Sequence, residues 1–280
     1  MTAPYFFIVN PVAGGGRGLA VWRVIQQEAR RIELPYEYEL TRAPFTGISF
    51  VRQALRAGAR TIVAVGGDGT VLEAVNGFYL DGVPVNENAT FSVIPAGRTG
   101  SFAKNLGIPA GLSALSLLTR GRQAAVDLAE ASFTDSRGLA VTRFFANGAR
   151  VGGEPMPMPQ APSFGPMGWT GALIVDDGDQ LLVQARTVVV AIGPNVGGRL
   201  AAPRAKMDDG LLDVVIETPP SGLPADLAIA ARGGDKSDAV GRHIKLEMDG
   251  SPPIELDGDS AGAGSIDVHI RPSALRVHVA

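Results

Sequence analysis

Cysteine is absent from the 280 residues of the chain. Its absence excludes disulfides, thiol nucleophiles and cysteine-ligated metals, and it fits a reducing compartment. Basic residues form no block and the formal net charge is −3, which argues against broad nucleic-acid binding. No apolar run reaches the ~18 residues of a membrane-spanning helix, and the first residues lack a signal-peptide pattern. We therefore expect a soluble cytoplasmic protein with no nucleic-acid partner.

Strand and helix patterns alternate through the first half of the chain. Residues 5–9, 36–40, 61–65 and 91–94 are apolar or alternating runs that predict strands. Two helices are predicted between them. Their apolar sides contain Val21, Val24, Ile25, Ala29 and Ile32 in the first helix and Ile48, Val51, Ala54 and Leu55 in the second. The alternation predicts βαβ units and a mainly parallel sheet.

The most informative stretch follows the third of these strands and consists of Gly66, Gly67, Asp68, Gly69 and Thr70. Glycines allow an outside group to approach the backbone amides closely, and the N-terminus of the following helix attracts an anion such as phosphate. Asp68 would repel a bare phosphate. It therefore indicates a divalent cation between the two, or it caps the helix that follows.

Two more turns rich in small residues follow predicted strands. One spans residues 10–18 and includes Arg17, which either pairs with phosphate oxygens or is solvated. The other spans residues 95–101, and Thr41 ends the remaining strand. Ligands of parallel sheets gather at the carboxyl ends of strands, so these turns are expected to share one crevice.

Over nearly its whole length the chain resembles the diacylglycerol kinase catalytic-domain superfamily, especially soluble bacterial lipid kinases related to sphingosine kinases. The resemblance rests on Asn10-Pro11 with Gly14, on residues 66–70 with Glu73 and Asn76-Gly77, on residues 94–97, 102–103 and 106–109, and on residues 126–128, 203–205, 208–213 and 256–259.

The resemblance implies two domains. Residues 1–125 would form an α/β nucleotide-binding domain with a mainly parallel sheet, similar to those of phosphofructokinases and NAD kinases. Residues 126–280 would form a β-rich, sandwich-like domain. ATP and Mg²⁺ are the implied cofactors, and the γ-phosphoryl group would pass to the hydroxyl of diacylglycerol or a related lipid alcohol. Transient contact with the inner membrane face and a homodimer are further expectations.

The resemblance also assigns roles to residues. The nucleotide would contact Asn10, Pro11, Val12, Ala13, Gly14, Arg17, Thr41, Gly66, Gly67, Asp68, Gly69, Thr70, Arg98 and Thr99. Asp68 would organise the catalytic metal, and Asp259 would take the proton of the acceptor hydroxyl. Lys206, Asp209 and Leu211 would hold a structural Mg²⁺, partly through backbone carbonyls. Read without the resemblance, the same segment is an ordinary Asp-Asp-Gly turn.

The chain departs from the family pattern in two places. Asp259 stands where glutamate is usual. In the third turn Gly100-Ser101 stands where the family usually has Asn-Asp, so Ser101 replaces an aspartate of the magnesium and water network, and Arg98 stands where threonine is common. The replacement at Ser101 keeps open a nucleotide-binding regulatory protein without kinase activity. An NAD kinase is a further alternative, because NAD kinases share the glycine stretch.

The second half contains short strand-like runs separated by Gly, Pro and Asp, at residues 187–192, 212–216, 244–248, 266–270 and 275–279. The three histidines, His243, His269 and His278, show no metal-ligand spacing, so we predict structural or surface roles. The Met- and Pro-rich segment 153–169 either shields an acyl chain or packs on the second domain.

Overall fold

The computed structural model describes residues 3–153, 168–217 and 238–280. They belong to two compact units, of which unit one comprises Met1–Val126 and Ser273–Ala280 and unit two comprises Asp127–Pro272. The compact units therefore divide after Val126 and again before Ser273. The predicted boundary between two domains, at residues 125 and 126, stays a prediction. Residues 154–167, most of the Met- and Pro-rich segment, lie outside the described residues.

Unit one alternates strands and helices. Its elements are β1 (Tyr5–Val9), α1 (Ala13–Arg31), β2 (Tyr36–Leu40), α2 (Thr46–Ala57), β3 (Thr61–Gly66), α3 (Asp68–Phe78), β4 (Tyr79–Leu80), β5 (Val83–Pro84), β6 (Thr90–Pro95), α4 (Ser101–Asn105), α5 (Leu112–Arg120) and the beginning of β7 (Arg122–Asp135).

The main sheet of unit one is parallel, as the alternation predicted. Its order is β2-β1-β3-β6, and the last part of β19 (Asp259–Val279) lies beside β6 through the pair Val277 and Phe91. β2 lies on one side of β1 and β3 lies on the other, so the strand order reverses between β1 and β3. Open α/β sheets bind ligands outside the carboxyl ends of the strands at such a point. The turns that follow β1 and β3 are therefore the expected place for a ligand.

The buried side of α1 differs from the prediction. Gly18, Trp22, Ile25 and Ala29 are buried, whereas Val24 and Ile32 are exposed. The three residues Gly14, Gly15 and Gly16 have left-handed backbones with φ of 62°, 76° and 94°, so the regular helix begins only after them. Trp22 packs on the aromatic rings of β1 and β2. Its large ring occupies the helix face that we had assigned to the aliphatic residues Val24 and Ile32.

Unit two is built from strands. It continues β7 and adds β8 (Ala140–Phe145), β9 (Gly148–Gly152), β10 (Trp169–Val175), β11 (Leu181–Ala185), β12 (Thr187–Ala191), β13 (Asn195–Val196), β14 (Arg199–Leu200), β15 (Leu212–Glu217), β16 (Ala239–Gly241), β17 (His243–Met248), β18 (Pro253–Leu256) and most of β19.

The strands of unit two pair antiparallel. One path runs β16-β15-β12-β9-β18-β19, while β10 lies between β11 and β17, and β17 lies beside β19. The described part of this unit contains no helix, in agreement with the predicted β-rich second domain. Among the described residues of the whole chain, no helix has the length and apolarity that a membrane span requires.

Candidate functional site

The turns after β1 and β6 contact each other. A Cβ atom added at Gly14 would lie 2.3 Å from the carbonyl oxygen of Ala96, and its φ of 62° also favours glycine. At the start of the same turn, the side-chain oxygen of Asn10 accepts a hydrogen bond from the amide of Val12 at 3.1 Å. Glycine at position 14 thus allows the first turn to lie directly on the third.

The central turn, after β3, contacts the third turn even more closely. A Cβ at Gly97 would lie 2.5 Å from the Cα of Gly67, and a Cβ at Gly67 would lie 3.1 Å from the Cα of Gly97. The amides of Ala96 and Gly97 donate to the carbonyl oxygen of Gly66 at 2.7 and 3.1 Å. Two glycine backbones therefore face each other at the carboxyl ends of β3 and β6.

Arg17 connects the first turn to the third. Its Nη2 donates to the carbonyl oxygen of Gly97 at 2.8 Å, although the side chain as a whole is exposed. The guanidinium is therefore not simply solvated, because one of its donors binds the third turn. Thr41, at the end of β2, donates its amide to Val9 at 2.8 Å. The predicted nucleotide residues of unit one thus lie at one edge of the sheet.

Asp68 is buried and binds the start of α4. Its carboxylate accepts hydrogen bonds from Thr99 Oγ1 at 2.7 Å, from the Ser101 amide at 2.9 Å and from the Phe102 amide at 3.0 Å. The alternative that Asp68 caps the helix that follows it is wrong, because α3 has Gly67 at its N-cap with no side-chain hydrogen bond. A carboxylate has about four acceptor positions, so three donors leave about one for a metal ion.

Thr70 and Arg98 complete the glycine-rich edge. Thr70 is buried, and among the described residues its hydroxyl oxygen has no hydrogen-bond partner, which is uncommon for a buried polar atom. Arg98 is exposed in the turn between Gly97 and Thr99. An exposed cation, the first amides of α3 and closely packed glycines are features that suit phosphate groups.

In unit two, Asp259 follows a tight hairpin. Leu256 pairs with Asp259, and the two residues between them, Asp257 and Gly258, have φ of 51° and 90°. Two positive φ angles define the type I′ turn that favours Asp-Gly. The side chain of Asp259 is exposed, and the same residue begins β19. The predicted base is therefore held by a short hairpin with little conformational freedom.

Asp257 fixes this hairpin, a role that the sequence analysis missed. Its buried carboxylate accepts hydrogen bonds from the amides of Ala146, Asn147 and Gly148 at 2.9, 2.7 and 3.1 Å. The Asp-Gly pair signalled the turn, but the partner amides lie more than 100 residues earlier in the chain. A second glycine hairpin lies beside it, since a Cβ at Gly258 would lie 3.9 Å from the Cα of Gly197.

The segment predicted to hold a structural Mg²⁺ is an ordered turn. The buried Asp127 accepts a hydrogen bond from the Gly210 amide at 2.7 Å and donates its own amide to Met207 at 2.7 Å. Asp209 Oδ1 accepts the amide of Leu211 at 3.1 Å.

Lys206 and Asp209 are exposed in this turn. The side chain of Lys206 is a cation, so Lys206 offers a metal only its carbonyl oxygen. Carboxylate and carbonyl oxygens are ligands that Mg²⁺ accepts, so the donor set fits the ion.

Two family models match successive parts of the chain. Residues 4–131 match the family model described as the diacylglycerol kinase catalytic domain. Residues 163–279 match the model described as the YegS C-terminal NAD kinase beta sandwich-like domain.

Curated relatives are similar along most of the chain. A probable lipid kinase YegS-like from Klebsiella pneumoniae is 26% identical over 247 residues, covering 82% of this chain and 81% of the relative. A probable lipid kinase YegS-like from Serratia proteamaculans is 25% identical over 290 residues, covering 98% and 93%.

Solved structures share the fold. A putative diacylglycerol kinase from Bacillus anthracis superimposes with a TM-score of 0.76 at 20% identity, covering 99% of this chain and 95% of the other. Yeast NADH kinase complexed with NADH gives a TM-score of 0.59 at 12% identity, covering 99% and 82%.

Proposed function

Because the chain belongs to the diacylglycerol kinase catalytic-domain superfamily, we propose that it is an ATP- and Mg²⁺-dependent lipid kinase. It would transfer the γ-phosphoryl group to the hydroxyl of diacylglycerol or a related lipid alcohol. The observation that carries the proposal is the convergence of three glycine-containing turns at the carboxyl edge of β1, β3 and β6, with Asp68 bound across two of them. Two relatives are themselves called probable lipid kinases.

The glycine-rich edge would bind the triphosphate. The N-terminus of α3 would attract the phosphates, because the positive end of the helix dipole lies there. The amides of Thr70 and Val71 already donate to the Gly67 carbonyl oxygen, so the amides before them would serve the ligand. Gly67 and Gly97 leave no side chain between the backbones and an incoming phosphate. Arg98 would contact phosphate oxygens from the exposed side of the third turn, and Arg17 would add positive charge from the first turn.

Asp68 would have two roles in this site. It holds Thr99 and the start of α4 in place, and its remaining acceptor position would face the Mg²⁺ that accompanies ATP. When bound, Mg²⁺ neutralises charge that develops on the transferred phosphoryl oxygens. Ser101 has a hydroxyl side chain and so supplies no second carboxylate here; its backbone amide donates to Asp68.

Asp259 would accept the proton of the attacking hydroxyl. An exposed carboxylate can reach a substrate oxygen, and the type I′ hairpin limits the positions that its backbone adopts. A diacylglycerol-like acceptor belongs to a membrane, so we also propose that the protein is cytoplasmic and contacts the inner membrane surface transiently.

A phosphorylation assay with labelled ATP, Mg²⁺ and a panel of lipid alcohols in mixed micelles tests the proposal, with NAD as a parallel acceptor. We expect a phosphorylated lipid and no phosphorylated NAD. Asp259→Asn should lower kcat by about 10²-fold or more, as loss of a general base does. Asp68→Asn should also lower kcat, because a neutral amide would hold the Mg²⁺ poorly. Asp179→Asn removes another exposed carboxylate of unit two and should leave kcat unchanged.

Three results would contradict parts of the proposal. Full activity of Asp259→Asn would remove Asp259 as the base. Phosphorylated NAD instead of lipid would favour the NAD kinase alternative, which the NADH kinase fold likeness keeps as the second candidate. ATP binding by calorimetry without any phosphorylated product would favour the regulatory protein.

A further inference from the structure

Two histidines that are 26 residues apart in sequence meet across adjacent strands. His243 on β17 is the direct partner of His269 on β19, and their rings stack with centroids 3.9 Å apart and an angle of 11° between the planes. Asp267 lies two residues before His269 and therefore on the same face. Its Oδ1 is 2.9 Å from His243 Nε2 and 3.0 Å from His269 Nε2. The prediction that the histidines play only structural or surface roles overlooked this pairing.

We propose that His243, Asp267 and His269 bind a divalent transition-metal ion of the Zn²⁺ type. Imidazole nitrogen and carboxylate oxygen bind Zn²⁺ at about 2.0–2.2 Å, so two ligand atoms of one ion are at most about 4.2 Å apart. In the structure, one ligand atom from each of the three residues lies within 4.8 Å of the others. Small rotations of the exposed side chains would close the remaining gap. None of the three residues is among those assigned to phosphoryl transfer.

The backbone fixes the positions of the three residues without a bound ion. Cross-strand pairing fixes the distance between the two histidines, and a strand places Asp267 beside His269 with no loop between them. Sites built on strands hold their ligands more precisely than sites built on loops.

A second carboxylate lies near this site. Asp177 Oδ1 is 3.7 Å from His243 Nδ1, and its negative charge would favour a bound cation. Without an ion, His243 Nε2 lies at hydrogen-bond distance from Asp267 Oδ1, so the ion would replace a proton there. The turn that presents Asp177 is held against β17, because Asp176 Oδ1 accepts the amides of Arg242 and His243 at 2.7 and 2.8 Å.

Charge and exposure also suit a cation. The side chain of His243 is 23% exposed, that of Asp267 is 35% exposed and that of His269 is 57% exposed, so an ion reaches them from solvent. Two cations share this face, and each is already paired. Lys245, opposite Asp267, binds Glu247 at 2.5 Å, and Arg271 binds Glu130. Lys245 also lies opposite Asp267 and contributes positive charge there, so an ion would share that carboxylate with Lys245.

Isothermal titration of the untagged full-length protein with ZnCl₂, in a buffer that does not chelate metals, tests the site. We expect one Zn²⁺ per chain with micromolar or tighter affinity, and at least tenfold weaker binding in His243→Ala and in His269→Ala. His278→Gln removes the third histidine, which belongs to unit one, and should leave binding unchanged.

A spectroscopic readout separates coordination from a general loss of structure. Co²⁺ at this site should give the visible absorption of a bound ion in the unaltered protein and in Asp68→Asn, but not in His269→Ala. His269 is largely exposed, so its replacement should leave the unfolding temperature without metal nearly unchanged. Zn²⁺ binding of unaltered strength in both His→Ala variants would overturn the proposal. So would a lack of binding by the unaltered protein at roughly 100 μM Zn²⁺, which corresponds to a binding free energy near −5.5 kcal/mol.

Discussion

Replacing Gly97 by alanine would test whether the close contact between the central and third turns matters. The new Cβ would lie 2.5 Å from the Cα of Gly67, whereas ordinary contacts begin at 3.4 Å. The turns would have to separate by about 1 Å, because both atoms belong to the backbone and neither has a flexible end. Overpacking of this kind costs about 1–3 kcal/mol of unfolding free energy, and a 1 Å displacement of a binding group costs about 10²-fold in rate.

Urea unfolding and ATP-dependent phosphorylation would measure these two effects on the same variant. Gly67→Ala should be milder in both assays, because its Cβ would lie 3.1 Å from the Cα of Gly97. Gly138→Ala is the matched control: its φ of 79° makes alanine unfavourable by about 1 kcal/mol, but the surrounding space is open and the residue lies outside the site. Gly97→Ala with unaltered stability and kcat/KM would refute the reasoning.

Two further predictions concern buried polar groups. Asp257→Ala leaves three backbone amides without their acceptor, so we expect a loss of about 3 kcal/mol in urea unfolding, whereas Asp249→Ala, at an exposed carboxylate, should lose under about 1 kcal/mol. Burial lowers the pKa of His278, with the Leu117 backbone partly offsetting the effect. The unfolded chain then binds the proton more readily, so stability should fall as the pH drops below about 6.5. His278→Gln should flatten that part of the pH profile, and an unchanged profile would show that another group is responsible.

Local patterns predicted the first unit well. The apolar runs at β1, β3 and β6 and the spacing of Val51, Ala54 and Leu55 on α2 depend on neighbouring residues, so one sequence contains the information. The glycine-rich turns were predicted for the same reason. The buried face of α1 was predicted only in part. Ile25 and Ala29 are buried as expected, but Trp22 is buried where Val24 and Ile32 were expected, because it packs on aromatic rings of β1 and β2 that lie elsewhere in the sequence.

Contacts between distant residues could not be predicted in this way. Asp68 binds groups 31 to 34 residues further along the chain, so its part in fixing α4 depends on the packing of β3 against β6. Asp257 accepts a hydrogen bond from the amide of Ala146, and this contact likewise depends on the packing of distant segments. His243 and His269 became a cluster only through strand register, and a shift of one residue would have put them on opposite faces.

The long strand β19 has a consequence for biosynthesis. Its final segment lies beside β6, where Val277 pairs with Phe91 and the Tyr79 hydroxyl donates to Ala274. At about 5–20 residues per second, a ribosome needs on the order of 10–40 seconds after finishing β6 to deliver that segment. During this interval the nascent sheet has an open edge with unpaired amides and carbonyls, a period in which a chaperone or a neighbouring nascent chain has access to it.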